Sequence, residues 1–152
     1  MDTTPGRVAA IDYGTVRIGI AISCPERRFA SPLENYDRQS IEKDAARFVQ
    51  LVEEENVTLF VVGLPIHLDG GESQKSKEAR DFAKWLHELT SIQVAMFDER
   101  FTSAQAEQML QGANLTKKRR KARLDMIAAQ ILLSAFLEAG CPSDADGNQS
   151  IE

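Results

Sequence analysis

The sequence predicts one α/β domain, built as a mixed sheet with helices on its faces. Two observations lead to this prediction. Extended segments open the chain, and segments with a helical period then alternate with short apolar runs. A hairpin opening followed by alternating strands and helices is typical of a sheet that combines antiparallel and parallel strands. With 152 residues, the chain is long enough to bury a core without disulfides.

Three extended segments are predicted before the first helix. "RVAAID" (7–12) is typical of a short buried strand, and "RIGIAIS" (17–23) alternates between isoleucines and small or polar residues. The link "YGTV" is short and contains a glycine, which predicts a hairpin between the two strands. A third strand is expected around 28–33, although Pro25 and Pro32 restrict it.

Helical segments follow from Ser40, a natural N-cap. The apolar stripe predicted for this first helix consists of Ile41, Ala45, Phe48, Val49 and Val52. A second helix presents Ala79, Phe82, Ala83 and Leu86 on one side. Thr102 and Gln105 have the spacing of a capping box, which predicts a helix there. After a basic run, a last helix is expected to extend to about Ala139.

Two further strands are predicted between these helices. "VTLFVVG" (57–63) is continuously apolar, as expected for a central strand buried on both faces, and "IQVAMF" (92–97) is predicted to be another strand. The domain therefore spans 1–139. The segment 140–152 has few core residues and is expected to be a disordered tail.

The composition leaves the class of partner open. The net charge of −5 argues weakly against nucleic acid, but six basic residues lie within 117–123 and can bind phosphates whatever the global charge. Cys24 and Cys141 are far apart and suit a reducing cytoplasm. We expect no membrane segment and no signal peptide, with the mature protein starting at or near Met1.

Acidic residues mark the ends of two predicted strands and one helix face. Asp12 ends the first strand, and Asp98 and Glu99 follow the last. Asp125 lies on the final helix, where its neighbours at i+3, i+4 and i+7 are apolar, so its face is predicted to point inward. Ligand chemistry gathers at the carboxyl ends of strands in such sheets. We therefore expect these carboxylates to converge.

Clustered carboxylates repel one another unless a cation neutralises them. Mg²⁺, with its preference for oxygen ligands, is a suitable cation, and two such ions support in-line attack of water on a phosphodiester. Taken singly, each acid has an ordinary explanation: Asp12 as a turn residue, Asp98 and Glu99 as partners of Arg100, and Asp125 as a favourable charge in the first turn of a helix. Taken together, they favour a metal site.

Four segments of the chain form a set of motifs: "AIDYGTVRIGIAIS", "VVGLPIHLDGGES", "FDERFTSAQAE" and "KARLDMIAAQILLSAFLE". Together they resemble the bacterial YqgF/RuvX family, the pre-16S rRNA nucleases, which are also described as Holliday-junction resolvases. The resemblance implies a ribonuclease-H-like fold with a five-stranded mixed sheet flanked by helices, whose second strand is antiparallel to the rest. It also implies a divalent-metal nuclease site that uses Mg²⁺ or Mn²⁺, with two ions when substrate is bound.

Carried over by motif, the catalytic residues are Asp12, Glu99 and Asp125, with Asp98 as a further metal ligand. Adjacent residues of a strand face opposite sides of the sheet, so the sequence leaves open which of Asp98 and Glu99 is the primary metal ligand. Glu99 is favoured. The resemblance further implies products with 5′-phosphate and 3′-hydroxyl ends.

Nucleic acid is the expected partner. Arg17 lies on the same predicted strand face as Gly19 and is a candidate phosphate contact, although a solvent-exposed strand arginine is equally compatible with its position. The basic run offers four more, Lys118, Arg119, Arg120 and Lys121, unless it is only a solvated loop.

The leading hypothesis is a cytoplasmic, metal-dependent endonuclease that processes the 5′ end of pre-16S rRNA. A Holliday-junction resolvase acting on four-way DNA is the first alternative, and it would require a homodimer to make paired cuts. A non-catalytic nucleic-acid-binding module that kept the fold is the second alternative.

Overall fold

The computed structural model describes residues 4–65, 73–98 and 117–142, with the side chains of the last helix described from Met126 onward. The strands in this part of the chain are β1 (Arg7–Asp12), β2 (Arg17–Ser23), β3 (Ala30–Asp37), β4 (Val57–Leu64) and β5 (Val94–Asp98). The helices are α1 (Ile41–Glu55), α2 (Gln74–Thr90) and α3 (Lys117–Glu138). The helix predicted from Thr102 lies outside the described residues.

The five strands form one mixed sheet in the order β3-β2-β1-β4-β5. β2 is antiparallel to both of its neighbours, β1 and β3. β4 is parallel to β1, and β5 is parallel to β4. The prediction of a hairpin opening, followed by strands that run parallel to the first, is confirmed.

The hairpin link between β1 and β2 requires a glycine. A Cβ atom added at Gly14 would lie 2.3 Å from the backbone oxygen of Arg17, well inside any tolerated contact. Because the obstructing atom belongs to the backbone, a small side-chain adjustment cannot relieve the clash. Gly14 therefore fixes how closely the two strands are joined just beyond Asp12.

The third strand differs from its prediction. It was expected around 28–33, but β3 covers Ala30–Asp37. β3 is an edge strand, where a proline without an N–H group can be accommodated, so Pro32 does not end it. The pairing register with β2 shifts between Ile20 and Ala21, opposite this proline.

The N-cap predicted for the first helix is confirmed. The Ser40 side chain accepts a hydrogen bond from the Lys43 backbone N–H at 3.1 Å, as expected for an N-cap. The last strand starts at Val94 rather than at Ile92, because Ile92 follows Ser91, the C-cap residue of α2, and is hydrogen-bonded back to that helix. Its N–H donates to Thr90 Oγ1 at 3.2 Å, and its carbonyl lies 2.9 Å from His87 Nδ1.

The buried stripe of α1 is rotated relative to its prediction. Ile41 and Val49 are 68% and 37% exposed, whereas the buried residues of the helix are Asp44, Phe48 and Leu51. These three have the i, i+4, i+7 spacing of one helix face. The prediction was right for Phe48 and wrong for Ile41 and Val49, and it did not include Asp44, which the fold buries within a polar network.

The two faces of the sheet have different cores. The α1/α2 face is made of bulky side chains, and its largest fully buried members on the strands and helices are Ile11, Ile18, Ile20, Phe48, Leu51, Phe60 and Leu86. The α3 face is made of smaller ones on the strands: Val8, Ala10, Ala21, Val61 and Ala95. From α3, this second face receives Ala129, Leu132, Leu133 and Phe136.

The last helix includes the basic run. α3 is helical from Lys117, so the backbone of the basic run forms its first turns and not a loop. The helix ends at Glu138, one residue before the expected end, and Gly140 follows in a left-handed conformation with φ of +83°.

Candidate active site

Asp12 is the last residue of β1 and lies on the α3 face. Val8 and Ala10 pack under α3, and Asp12 continues their alternation along the strand. Its partner across the β1–β2 hairpin is Gly19. The Asp12 side chain is therefore placed at the carboxyl end of a central strand, half-buried, on the less bulky side of the sheet.

Glycines flank Asp12 on both sides. Gly19 is its direct partner in β2, and Val62 of β4 is the partner of Ile11, so Gly63 is the β4 residue beside Asp12. Both glycines have the strand parity of the α3 face, next to Ala21 and Val61 respectively. The strand positions on both sides of Asp12 therefore carry no side chain, and both glycines are buried. Gly63 was missed from the sequence, although a glycine inside an apolar strand is a signal of close approach by another group.

The backbone of α3 brings Asp125 toward this end of the sheet. Further along the helix, Gln130 Nε2 donates to the Ala30 carbonyl at 3.2 Å, and Ala30 pairs with Ser23 at the opposite end of the sheet from Asp12. Asp125 precedes Gln130 by five residues, which is about 7.5 Å of helix, directed toward the Asp12 end.

The position of Asp125 is also in line with the buried stripe of α3. Ala129 and Leu132, four and seven residues further on, are almost completely buried in the core under the helix. Asp125 thus shares their helix face by the helical period. The Asp125 side chain itself lies outside the described residues.

Asp98 ends β5 opposite Leu64. Along β5, Val94 and Met96 pack in the core of the α1/α2 face, whereas Ala95 and Phe97 pack in the core of the α3 face. Alternation therefore gives Asp98 the parity of the α1/α2 face, opposite to that of Asp12. Glu99, the other candidate at this strand end, lies outside the described residues.

The described side chains include no group of three His, Cys, Asp or Glu residues arranged to hold a metal ion. Two of the three predicted catalytic acids, Glu99 and Asp125, have side chains that lie outside the described residues. The convergence of Asp12, Glu99 and Asp125 on one cation therefore stays a prediction.

Arg17 opens β2 at the same edge of the sheet. It is half-buried, has the strand parity of Gly19, and pairs in register with Asp37 of β3. It lies two residues before Gly19, beyond the end of β1. Lys118, Arg119, Arg120 and Lys121 lie in the first turns of α3, whose amino end extends toward this edge, and their side chains are outside the described residues.

A polar network beside Asp12 was not predicted from the sequence. Its centre is Asp44, which is 2% exposed and accepts a hydrogen bond from the Tyr36 hydroxyl at 2.6 Å. Asp44 also accepts from the Gln39 N–H at 3.0 Å and from Arg38 Nε at 3.3 Å. Arg38 Nη1 in turn donates to the hydroxyl of Tyr13 at 3.0 Å. The network thus reaches the residue that directly follows Asp12.

Protonation in this network follows from burial and hydrogen bonding. Burial, reinforced by the Asp44 carboxylate, raises the pKa of Tyr36 to about 12, so its hydroxyl remains a donor. For Asp44, burial alone would raise the pKa, but the donors Tyr36, Gln39 and Arg38 together bring the pKa below its usual value. Asp44 is therefore a carboxylate that keeps Arg38, and through it Tyr13, in place.

The match to a protein-family model shows which family the chain belongs to. A family model described as RuvX: Holliday junction resolvase matches residues 6–139. The chain belongs to the RuvX family. Its relatives include proteins named as candidate pre-16S rRNA nucleases: one from Rhodopirellula baltica is 47% identical, with 97% of this chain and 90% of the relative covered. Another from Chloroflexus aurantiacus is 40% identical, with 87% and 86% covered.

Solved structures share the fold of this RuvX family member. RuvC of Thermus thermophilus in complex with a Holliday junction superposes with a TM-score of 0.55 at 14% identity, covering 89% of this chain and 96% of RuvC. The Fowlpox virus resolvase in complex with Holliday junction DNA gives 0.55 at 12% identity, with 90% and 99% covered. The predicted ribonuclease-H-like fold is confirmed.

No helix in the described part of the chain combines the length and apolarity that crossing a bilayer requires. Cys24 and Cys141 both carry free thiols.

Proposed function

We propose that the protein is a divalent-metal-dependent endonuclease that hydrolyses phosphodiester bonds of structured nucleic acid, with the 5′ end of pre-16S rRNA as its substrate. The observation that carries the proposal is the placement of Asp12 between Gly19 and Gly63, at the carboxyl end of a central strand. Membership of the RuvX family, and the nuclease names of relatives up to 47% identical, support the same activity.

The donor chemistry at this edge fits a hard divalent cation. Asp12, Glu99 and Asp125 would hold it, and Asp98 is a less favoured ligand because of its strand parity. Continued alternation along β5 would give Glu99 the face of Asp12. A bound Mg²⁺ or Mn²⁺ ion, or a pair of them, would activate water and stabilise negative charge on the phosphodiester.

The remaining residues of this edge would bind and position the substrate. Because Gly19 and Gly63 carry no side chain, neither of the strands beside Asp12 would place a side chain between its carboxylate and a phosphate group. Arg17 and the run Lys118–Lys121 would neutralise phosphates on either side of it. Contacts of this kind read the backbone and shape of structured RNA and not its base sequence.

A four-way DNA junction is the second candidate substrate, favoured by the description of the family. A resolvase makes two symmetric cuts and would require a homodimer, whereas an RNA end-processing enzyme would not. A non-catalytic binding module would bind nucleic acid without needing Asp12. We also propose that the protein acts on its rRNA substrate in the cytoplasm.

The test compares wild type with Asp12→Asn on a pre-rRNA leader fragment and on a four-way junction, each with Mg²⁺ or EDTA. We expect the RNA to be cut by wild type in Mg²⁺, and the rate to fall about 1,000-fold or more in the variant, because loss of a metal ligand removes several kcal/mol of transition-state stabilisation. Glu88→Gln, an exposed acid on α2, is the matched control with unchanged activity.

The outcomes separate the candidates. Cleavage that survives both EDTA and Asp12→Asn would contradict metal-dependent catalysis. Cleavage of the junction alone would replace the RNA assignment with the resolvase. Tight binding without cleavage of either substrate would favour the binding module.

A further inference from the structure

A cavity lies on the α1/α2 side of the sheet, at the same end of β1 as Asp12 but on the opposite face. Its volume is about 290 Å³, and its walls include Tyr13, Arg38 and Trp85. Tyr13 directly follows Asp12 in the chain, and strand alternation turns the two side chains to opposite faces at this edge of the sheet. The volume is at the lower end of the range for small-molecule sites, which suits a single ring system.

Aromatic rings form one wall of the cavity. The rings of Tyr13 and Phe82 have centroids 4.8 Å apart, and those of Phe82 and Trp85 are 5.4 Å apart. Trp85 is half-buried and reaches the cavity from α2. A planar ligand that enters the cavity would therefore contact aromatic surface beside the strand end.

The charged groups of the cavity have two different roles. The guanidinium of Arg38 lies 5.4 Å from the centroid of the Tyr13 ring, and it forms an ion pair of 3.3 Å with the buried Asp44. Its positive charge is thus compensated within the protein. Glu78 and Asp81, one turn apart on α2, add two carboxylates that line the cavity.

We propose that this cavity binds an unpaired nucleobase of the substrate that reaches around the end of β1 from the Asp12 side of the sheet, and that it prefers cytosine to uracil. Nucleic acid as the source of the base rests on the proposed function. Unstacked bases in RNA are commonly bound by stacking on aromatic side chains and arginine planes. The two carboxylates repel phosphate, so the sugar-phosphate backbone remains on the Asp12 side while the base enters the cavity.

The preference for cytosine follows from the hydrogen-bonding groups. Carboxylates accept hydrogen bonds and cannot donate them, and the exocyclic amino group of cytosine is a donor that Glu or Asp can bind. Uracil has nearly the same shape but presents a carbonyl oxygen at that position, and its single donor on this edge, the N3–H, is flanked by two carbonyl oxygens that Glu78 and Asp81 would repel. The amino group of cytosine offers two N–H donors, one for each carboxylate. Cytosine and uracil are therefore ligands of the same size that differ in the donors and acceptors of this one edge.

Trp85 provides a direct readout, because it is the only tryptophan in the chain. The full-length protein is titrated in EDTA with cytidine or uridine monophosphate while tryptophan emission is recorded. We expect saturable quenching by both, with a dissociation constant about tenfold smaller for the cytidine nucleotide, the discrimination typical of one good base contact.

A double substitution tests the assigned carboxylates. Glu78→Gln combined with Asp81→Asn is expected to abolish the preference for cytidine, whereas Glu88→Gln on the same helix keeps it. Both substituted side chains line an open cavity, so folding is expected to be unaffected, and circular dichroism checks this. Equal affinity for the two nucleotides in wild type, or an unchanged preference in the double variant, would overturn the proposal.

Two further arms separate this proposal from its alternatives. Asp12→Asn is expected to keep the quenching and the cytidine preference, so that loss of catalysis and loss of base binding are distinguishable. If neither nucleotide quenches the emission but an oligoarginine peptide does, the cavity is instead a site for a basic protein segment, and the proposal is wrong.

Discussion

The face of the sheet that packs against α1 and α2 is filled by isoleucines and aromatic rings, whereas the strand residues under α3 are alanines and valines, with glycines beside Asp12. Each strand contributes to both faces through alternate residues. The difference is therefore encoded within single strands: in β2, Ile18 and Ile20 face one way, and Gly19 and Ala21 face the other.

The two faces of the sheet therefore have different roles. Large interdigitating side chains bury more apolar surface and contribute most to stability. Small side chains allow a helix backbone to approach the sheet closely. The candidate active site lies on the face that contributes less apolar area, and the buried network of Asp44 stabilises the opposite face.

The largest stability effect is expected on the α1/α2 face. Phe48 is fully buried and has ring centroids 5.6 Å from Phe82 and 6.2 Å from Trp85. Phe48→Ala should lower the free energy of unfolding by about 3–5 kcal/mol, because it leaves a cavity in this core. Urea unfolding measures the loss, and Ile41→Ala, at a mostly exposed position of α1, is the control with little effect. A loss below 1 kcal/mol would contradict the assignment of this face as the main core.

The polar network is expected to give the next largest effect. Asp44→Asn should lower the free energy of unfolding by about 2–3 kcal/mol, because the buried site loses charge-assisted hydrogen bonds from Tyr36 and Arg38. Glu42→Gln, an exposed acid in the same first turn, provides the matched control in the same urea titration. If the two variants are equally stable, the network has no stabilising role.

Overpacking of the α3 face should cost less. Ala21 is fully buried between the sheet and α3, so Ala21→Leu is expected to lower the free energy of unfolding by about 1–3 kcal/mol through steric displacement of the helix. Nuclease activity should fall as well, because α3 carries Asp125. A stable variant with full activity would show that the spacing between α3 and the sheet is not critical.

The smallest predicted effect is a loss of stability at acid pH. The pKa of Asp44 is lowered in the folded protein relative to its ordinary value of 3.8. Its contribution to stability is therefore fully present above about pH 4 and is lost as pH falls through the folded pKa. Wild type should lose stability more steeply than Asp44→Asn below pH 4. Thermal unfolding measured at several pH values between 3 and 6 tests this, and parallel curves would contradict it.

Much of the fold could be predicted because its signals are local. The alternation in β2, the apolar run of β4 and the Ser40 cap each specify an element without reference to the rest of the chain. The bounds of β3 could not be predicted in this way. Pro32 is tolerated only because β3 is an edge strand, and its place at the edge is a property of the assembled sheet.

The candidate site was predictable only in part. Asp12 was identified because it ends an apolar strand, and its placement beside Gly19 follows from the hairpin register. Asp44 was missed because an acid in the first turn of a helix normally has a simple explanation, its favourable interaction with the helix dipole. Its partners Tyr36 and Arg38 come from the end of β3, and no short-range pattern in the sequence connects them to it.

The proline of β3 has a consequence for how copies of this chain can associate. An open sheet edge is a template onto which a strand from another molecule can be added, and such addition leads to aggregates or swapped dimers. Pro32 and the register shift beside it interrupt the row of N–H groups along the β3 edge. We therefore expect self-association through continuous β-strand pairing to be disfavoured at this edge.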